Sequence, residues 1–147
     1  MNLSQYVKKR NGVPFGHPAS LRNNLERSLG AKNFDSFWNY WNPIFGYYLG
    51  LRIFKPLKNL LPMAISLVFT FIFCGLIHDA VTSVVRGKIS FFFSVWFLLM
   101  SVFVLISKRM NYNFSQQKWI VRAAANLSII VLCFFLTQLL NSKFGFY

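Results

Sequence analysis

The chain has 147 residues, of which 55% are hydrophobic and 19% aromatic, and its mean hydropathy is +0.44. These values lie outside the range of soluble domains and indicate a membrane protein. The net charge is +13, because 16 Lys and Arg face only three acids. The basic residues flank long apolar runs, where they would meet anionic headgroups, and no nucleic-acid-binding motif accompanies them. We therefore predict a lipid bilayer as partner and no nucleic acid.

The first part of the chain is polar and basic, which predicts a basic N-terminal segment over 1–33. One short helix is expected from Ala19 to Leu29, because Gly30 is a typical helix stop. His17 stands between a glycine and a proline, and no second His or Cys lies near it at metal-ligand spacing. We therefore predict that His17 is an ordinary loop histidine.

An aromatic segment over 34–58 follows. Its nine aromatic residues are Phe34, Phe37, Trp38, Tyr40, Trp41, Phe45, Tyr47, Tyr48 and Phe54. Pro43 is expected to divide it into a short helix over 34–41 and a second helix, since proline disfavours helix at the residue before it. Polar residues make the segment a poor membrane span, and Tyr and Trp prefer the headgroup level. The prediction is an interfacial or re-entrant segment.

Three apolar stretches, over 62–85, 89–106 and 121–140, are predicted to be transmembrane helices. The first, counted from Met63, is about 35 Å long as a helix, which is enough to span a bilayer. The predicted fold class is all-α integral membrane, with about three transmembrane helices preceded by amphipathic or interfacial helices. We treat 1–147 as one membrane domain.

The positive charges predict the orientation of these helices. Thirteen Lys and Arg fall on one side of three spans and three on the other. Since positive residues accumulate on the cytoplasmic side, the N-terminus is expected in the cytoplasm. The chain is predicted to be a multi-pass protein of the inner (plasma) membrane.

The first predicted span contains His78 and Asp79 in otherwise apolar sequence. An ionisable side chain inside a membrane helix costs about 2.5 to 3.5 kcal/mol on insertion scales, so its presence suggests a function. Small or polar residues recur every four positions here, at Ser66, Thr70, Cys74, His78 and Thr82. Each lies about 40° around the helix axis from the last, so Thr70, Cys74 and His78 share one face. Such a stripe is expected to face a protein interior or a wet cavity.

Two interpretations of His78 stay open on the helix alone. A neutral imidazole can be a general base that takes a proton from a hydroxyl attacking a carbonyl. Alternatively, the small residues let helices approach closely and His78 hydrogen-bonds a neighbour. Cys74 as a nucleophile is less favoured, because apolar surroundings disfavour the thiolate. One histidine beside one carboxylate cannot complete a metal site, so none is predicted.

Asp79 follows His78 directly in the sequence. On a helix its side chain points about 100° away from the imidazole, so it is not expected to orient His78. We predict instead that Asp79 pairs with a cation near the outer surface, such as Arg86.

The segment from Phe34 to Asn42, which contains Phe37-Trp38 and Trp41-Asn42, ends 36 residues before His78. This pair of features resembles the core of the membrane-bound O-acyltransferases, which have an aromatic motif followed by a histidine in the membrane. Further upstream, Pro14-Phe15 and Ser28-Leu29 are similar to elements of the wax-synthase branch of that family.

The resemblance implies transfer of an acyl group from a thioester donor, usually acyl-CoA, to a hydroxyl acceptor. It implies His78 as the general base and Asn42 as its partner. The substrate pocket would be shaped by Phe37, Trp38, Trp41, Thr70 and Cys74. An Asn amide can donate to an oxyanion, and aromatic rings form an apolar wall for an acyl chain, which agrees with those roles. No cofactor is predicted, since the thioester is a co-substrate.

The chain departs from that family in its small number of spans, which correspond to the C-terminal core only. We therefore expect a homo-oligomer or a second membrane subunit. The alternative is a non-catalytic truncated relative that acts as a membrane scaffold or as a subunit of a larger complex. A small transporter is less favoured, because no repeated halves are present.

Overall fold

The computed structural model describes residues 1–146, which form helices and no strand. In chain order the elements are α1 (Leu3–Asn11), α2 (Ser20–Leu29), α3 (Phe34–Tyr40), α4 (Pro43–Leu49), a π-helical turn (Gly50–Phe54), α5 (Lys55–Leu60), α6 (Met63–Arg86), α7 (Phe92–Met110) and α8 (Trp119–Phe144). The last three are long and apolar enough to cross a membrane. The prediction of an all-α, multi-pass membrane protein is therefore confirmed.

The three long helices form an antiparallel bundle in which α7 packs against both α6 and α8. The first residue of α6 and the C-terminal turn of α7 lie at the same end, where the Lys108 ammonium is 3.8 Å from the sulfur of Met63. The N-terminal helices pack at this end too, through contacts of α2 with α8 and of α3 with α7 and α8. We call it the basic end, because most of the cationic residues belong to the segments that precede α6 or connect α7 to α8.

The observed helix bounds differ from the predicted ones where a cap begins a helix or where charged residues continue one. Helix α7 begins three residues after its predicted start at 89, and it continues past 106 into a basic last turn with Lys108 and Arg109. Cations are favourable at a helix C-terminus, so the charged residues do not end it. Helix α1 was not predicted; the side chains and backbones of Asn2 and Gln5 form a capping box that begins it.

Asp79 connects α6 to the first turn of α7. Its side-chain oxygens accept hydrogen bonds from the backbone N–H groups of Phe93 and Ser94, at 2.8 and 2.7 Å. The Ser94 hydroxyl donates a third bond, at 2.6 Å. These bonds satisfy donors at the start of α7 that have no partner within the helix. Asp79 is 2% exposed and buried between the helices; its expected pairing with a cation such as Arg86 stays a prediction.

Gly75 lets α6 and α7 come into backbone contact one turn before Asp79. A Cβ at this position would lie 2.6 Å from the carbonyl oxygen of Phe93 and 2.6 Å from the Cα of Ser94. Both atoms belong to the backbone, so no side-chain rotation could relieve the overlap. The close approach places Asp79 within reach of the N-terminus of α7.

Helix α3 is inserted into the bundle from the basic end. Phe34 and Phe37 are fully buried in the core. The backbone N–H of Asp35 donates to the Ser107 hydroxyl at 3.2 Å, and the ring of Trp38 lies 6.0 Å from that of Phe97. Since Ser107 and Phe97 are ten residues apart on α7, these contacts extend about 15 Å along that helix.

The chain then returns to the basic end through α4, the π-helical turn and α5, and α6 begins three residues later. Phe45 of α4 lies against His78, 6.4 Å between ring centroids. The aromatic segment therefore enters and leaves the three-helix bundle at one end; its interfacial or re-entrant position in a membrane stays a prediction. The wide π turn ends at Phe54, two residues before Pro56, whose ring nitrogen has no hydrogen to donate.

Replacing Gly75 with Ala is expected to force α6 and α7 apart and to lower the free energy of unfolding by about 1 to 3 kcal/mol, as overpacking does. Gly50→Ala is the matched control, because nothing lies within 4 Å of a Cβ there. Titration of both variants with a denaturing detergent would measure the difference. Equal midpoints for the two would contradict the close contact.

Replacing Asp79 with Ala removes three hydrogen bonds and leaves two buried N–H groups of α7 without an acceptor. We expect a loss of at least about 1 to 3 kcal/mol of stability, the cost of one unsatisfied buried group. Val84→Ala serves as control, because Val84 is on the same helix and 83% exposed. The same titration measures both variants, and an Asp79→Ala variant as stable as the control would argue against the cap.

Candidate functional site

His78 lies on α6 with its imidazole held between aromatic rings. The ring is 5.4 Å from Phe97 at an interplanar angle of 18°, and 5.3 Å from Phe93. Phe45 meets it in a T-shaped arrangement. The residue is nonetheless exposed at the surface of the three-helix bundle. An imidazole in this position is oriented by its neighbours and accessible to a second molecule.

The predicted aromatic residues of α3 join this cluster through Phe97. Trp38 contacts Phe97, and Phe37 packs against Trp38 at 5.2 Å and stacks on Trp41 at 5.5 Å. Phe37 is buried, Trp38 is half-buried and Trp41 is exposed. The structure thus brings these three residues and His78 into one continuous aromatic cluster, with its open side at Trp41 and at His78.

Asn42 begins α4 as its N-cap. Its backbone is left-handed, with φ of 39°, a conformation that asparagine adopts more readily than most residues. The side-chain oxygen accepts a hydrogen bond from the backbone N–H of Phe45 at 3.2 Å. Asn42 is exposed, and it is linked to His78 through Phe45. The cap uses only the oxygen of the Asn42 carboxamide. The NH₂ group of the same side chain is therefore the part suited to bind a carbonyl oxygen.

Thr70 and Cys74 lie on the buried side of α6. The Thr70 hydroxyl donates to the carbonyl of Ser66 at 2.7 Å, within its own helix. Cys74 belongs to the hydrophobic core, which also contains Phe34, Phe97 and Cys133. The stripe of small and polar residues therefore packs against other helices over most of its length and is exposed only near His78. Substrate contact by Thr70 and Cys74 stays a prediction.

Several residues of this cluster were not predicted from the sequence. Phe93 and Phe97 of α7 have shorter centroid distances to His78 than Phe45 does. Their spacing of four residues on one helix face is the signal that could have identified them. The indole nitrogen of Trp38 is buried and has no hydrogen-bond partner in the described part of the chain. Within residues 1–146, no group of three or more His, Cys, Asp or Glu side chains could hold a metal ion.

Comparison of this chain with protein-family models, with curated proteins and with solved structures finds no match. The functional interpretation therefore depends on the residues themselves. Their common feature is a partly open aromatic cluster that contains one imidazole and has one carboxamide beside it.

The cap at Asn42 can be separated from a chemical role of the same side chain. Asn42→Asp keeps an oxygen acceptor for the Phe45 N–H and is expected to keep wild-type stability. Asn42→Ala loses the cap and is expected to lower the free energy of unfolding by about 0.5 to 2 kcal/mol. Denaturant titration of both variants measures this, and equal stability of the two would show that the cap contributes nothing.

Proposed function

We propose that this protein is a membrane acyltransferase-like module that transfers an acyl group from a thioester donor to a hydroxyl acceptor. The observation that carries the proposal is the imidazole of His78, which lies in a membrane-spanning helix, is oriented by phenylalanine rings and has one open side. The resemblance of the 34–42 segment and His78 to the O-acyltransferase core supports the same reaction. Ionisable residues inside membrane helices are expensive, so a retained one suggests chemistry.

The proposed reaction needs one base and one oxyanion donor. His78 accepts the proton of the acceptor hydroxyl as its oxygen attacks the thioester carbonyl. The tetrahedral oxyanion receives a hydrogen bond from the amide of Asn42. When the intermediate collapses, the C–S bond breaks and the proton passes from His78 to the departing thiolate. An ester and a free thiol result, and no cofactor takes part.

The aromatic rings of α3 would bind the acyl chain. Phe37, Trp38 and Trp41 form a connected apolar wall that leads to His78 through Phe97. Apolar walls with a few placed polar groups are typical of sites for small molecules. The half-buried Trp38 contacts α6 through Phe71, at 4.9 Å, and α7 through Phe97.

We propose further that additional transmembrane helices, from a second copy of the chain or from another membrane subunit, cover His78 and Asn42 and enclose the substrates. Both side chains are exposed on the isolated bundle, which supports this assembly. The proposed setting is the inner (plasma) membrane with the basic end in the cytoplasm, since thirteen of the cationic residues fall on that side of the spans.

A non-catalytic role as a membrane scaffold or subunit is the second candidate. It is favoured by one observation, the use of the Asn42 oxygen as a helix cap, which gives that side chain a structural function without catalysis. In this interpretation the aromatic cluster around His78 is an interface between subunits. Variants of His78 distinguish the two candidates.

Transfer can be measured in native membranes that contain the full chain, with palmitoyl-CoA as donor and hexadecanol as acceptor. His78→Ala is expected to reduce the rate about 10²- to 10⁴-fold, the usual contribution of a general base. His78→Phe, which keeps the ring packing, should be as inactive. His17→Ala is the matched control and should be fully active, because His17 is in an exposed N-terminal loop.

Asn42→Asp adds a test of the oxyanion donor in the same assay, because it keeps the cap and removes the amide. We expect a drop in rate of about 10²- to 10³-fold, as for the loss of one such donor elsewhere. Full activity of His78→Ala would contradict the acyltransferase proposal and leave the scaffold role.

A further inference from the structure

A second polar region lies at the basic end of the bundle, 15 residues or more along α6 from His78. There α2, the linker to α3, α3 itself and the first turn of α8 surround an open cavity of about 400 Å³. The polar and charged residues that line it include Glu26, Arg27, Lys32, Ser36, Tyr40 and Arg122. We call it the basic pocket. No part of the proposed acyl transfer uses it.

The wall of the basic pocket is built by specific contacts between distant parts of the chain. The indole N–H of Trp119 donates to the carbonyl of Glu26 at 2.9 Å. Gly30 permits this approach, because a Cβ there would lie 2.5 Å from the Trp119 ring. One turn beyond the pocket, the Asn126 amide donates to the carbonyls of Leu29 and Ala31 at 2.9 and 3.0 Å. The pocket is therefore a fixed feature of the fold.

The charge of the basic pocket favours an anion. Arg27, Lys32 and Arg122 line it, against the one carboxylate of Glu26. Arg27 is held over the ring of Tyr40, 5.3 Å from its centroid. The Nε of Arg122 is shielded from solvent and has no hydrogen-bond partner among residues 1–146. The guanidinium groups of Arg27 and Arg122 line the pocket and can form charge-assisted hydrogen bonds with an oxyanion there.

Helix α8 adds to the positive potential. Its first turn, with Trp119 and Arg122, forms one side of the pocket, and no side chain caps it. A helix of 26 residues carries a partial positive charge at its N-terminus, where backbone N–H groups are open to an anion. This contribution supports the three cationic side chains and would not make a site without them.

An apolar groove adjoins the basic pocket on the other side of Trp119. It has a volume of about 710 Å³ and is lined by Leu21, Leu25 and Leu29 together with Arg22, Glu26 and Trp119. Glu26 and Trp119 line both spaces, so the two are adjacent. Leu21 is 71% exposed, which is unusual for a large apolar side chain beside a polar site. The combination of a cationic pocket and an apolar groove fits a molecule with a phosphate at one end and a hydrocarbon chain at the other.

We propose that the basic pocket binds the phosphate group of an anionic amphiphile, such as a phospholipid with a net negative headgroup, whose hydrocarbon chain lies along the groove of Leu21, Leu25 and Leu29. Arg122, Lys32 and Arg27 bind the phosphate oxygens, and the indole of Trp119 separates headgroup from chain. The site sits where a helix leaves the apolar region, which is the depth of lipid phosphates.

The test uses the full chain in a neutral detergent. Dihexanoyl-phosphatidylglycerol is titrated into it, and calorimetry measures the binding. The pocket variant combines Lys32→Gln and Arg122→Gln. The control combines Lys8→Gln and Lys9→Gln, which removes the same charge from the exposed residues of α1 outside the pocket. We expect at least a tenfold loss of affinity in the pocket variant and less than a twofold change in the control. Lys32→Gln alone, at an exposed side chain, should give a part of the loss without affecting the fold.

Two further probes identify the ligand class. Dihexanoyl-phosphatidylcholine, which has no net charge, is expected to bind at least tenfold more weakly. Inorganic pyrophosphate is expected to bind weakly as well, because it cannot occupy the groove. Equal affinity for pyrophosphate would overturn the assignment to an amphiphile and indicate a free phosphate. Equal losses in the pocket and control variants would show that only the general basic surface attracts the lipid. Neither result depends on acyl transfer.

Discussion

The hydrogen bonds from the first turn of α7 to Asp79 determine the arrangement of the two helices that carry the candidate site. In the apolar part of a bilayer, no water is available for the free N–H groups at the start of a helix. Asp79 supplies the acceptors, and Gly75 provides the space for the approach. Because Phe93 donates to Asp79 and its ring packs on His78, the same contact orients the imidazole. Asp79 thus positions His78 through α7, although the two side chains point in different directions on α6.

The aromatic motif of α3 serves both the core and the candidate site. Its first residues, Phe34 and Phe37, are buried between the long helices and anchor the segment. Its last residues, Trp41 and Asn42, are exposed where the chain turns back into α4. The motif is therefore anchored at one end and accessible at the other, as a binding site on a rigid scaffold requires. Pro43 at the first position of α4 and the cap by Asn42 fix the turn between the two helices.

The two polar regions of the protein lie at different depths of the bundle. The basic pocket is at the end where the N-terminal helices pack, and His78 is about 22 Å further along α6. Both regions depend on contacts between segments far apart in the chain, Trp119 with Glu26 in one case and Phe97 with His78 in the other. The basic N-terminal segment is consequently a part of the folded structure, held by Asn126 and by the loop before α8, where the Phe114 N–H donates to the Lys32 carbonyl.

The sequence by itself determined the three long helices, the break at Pro43 and the position of His78 within a span, because hydropathy, proline geometry and helical periodicity are local properties. The site roles that the resemblance implies for Phe37, Trp38 and Trp41 stay predictions, although Phe97 connects these rings to His78. Only the tertiary structure decided that α3 is inserted among the helices, since Trp and Tyr suit both a headgroup layer and a core. It also decided that Asp79 is a buried cap, while Cys74 packs in the core and His78 is open. The face that each helix buries depends on which distant segment packs against it, and no local pattern contains that information.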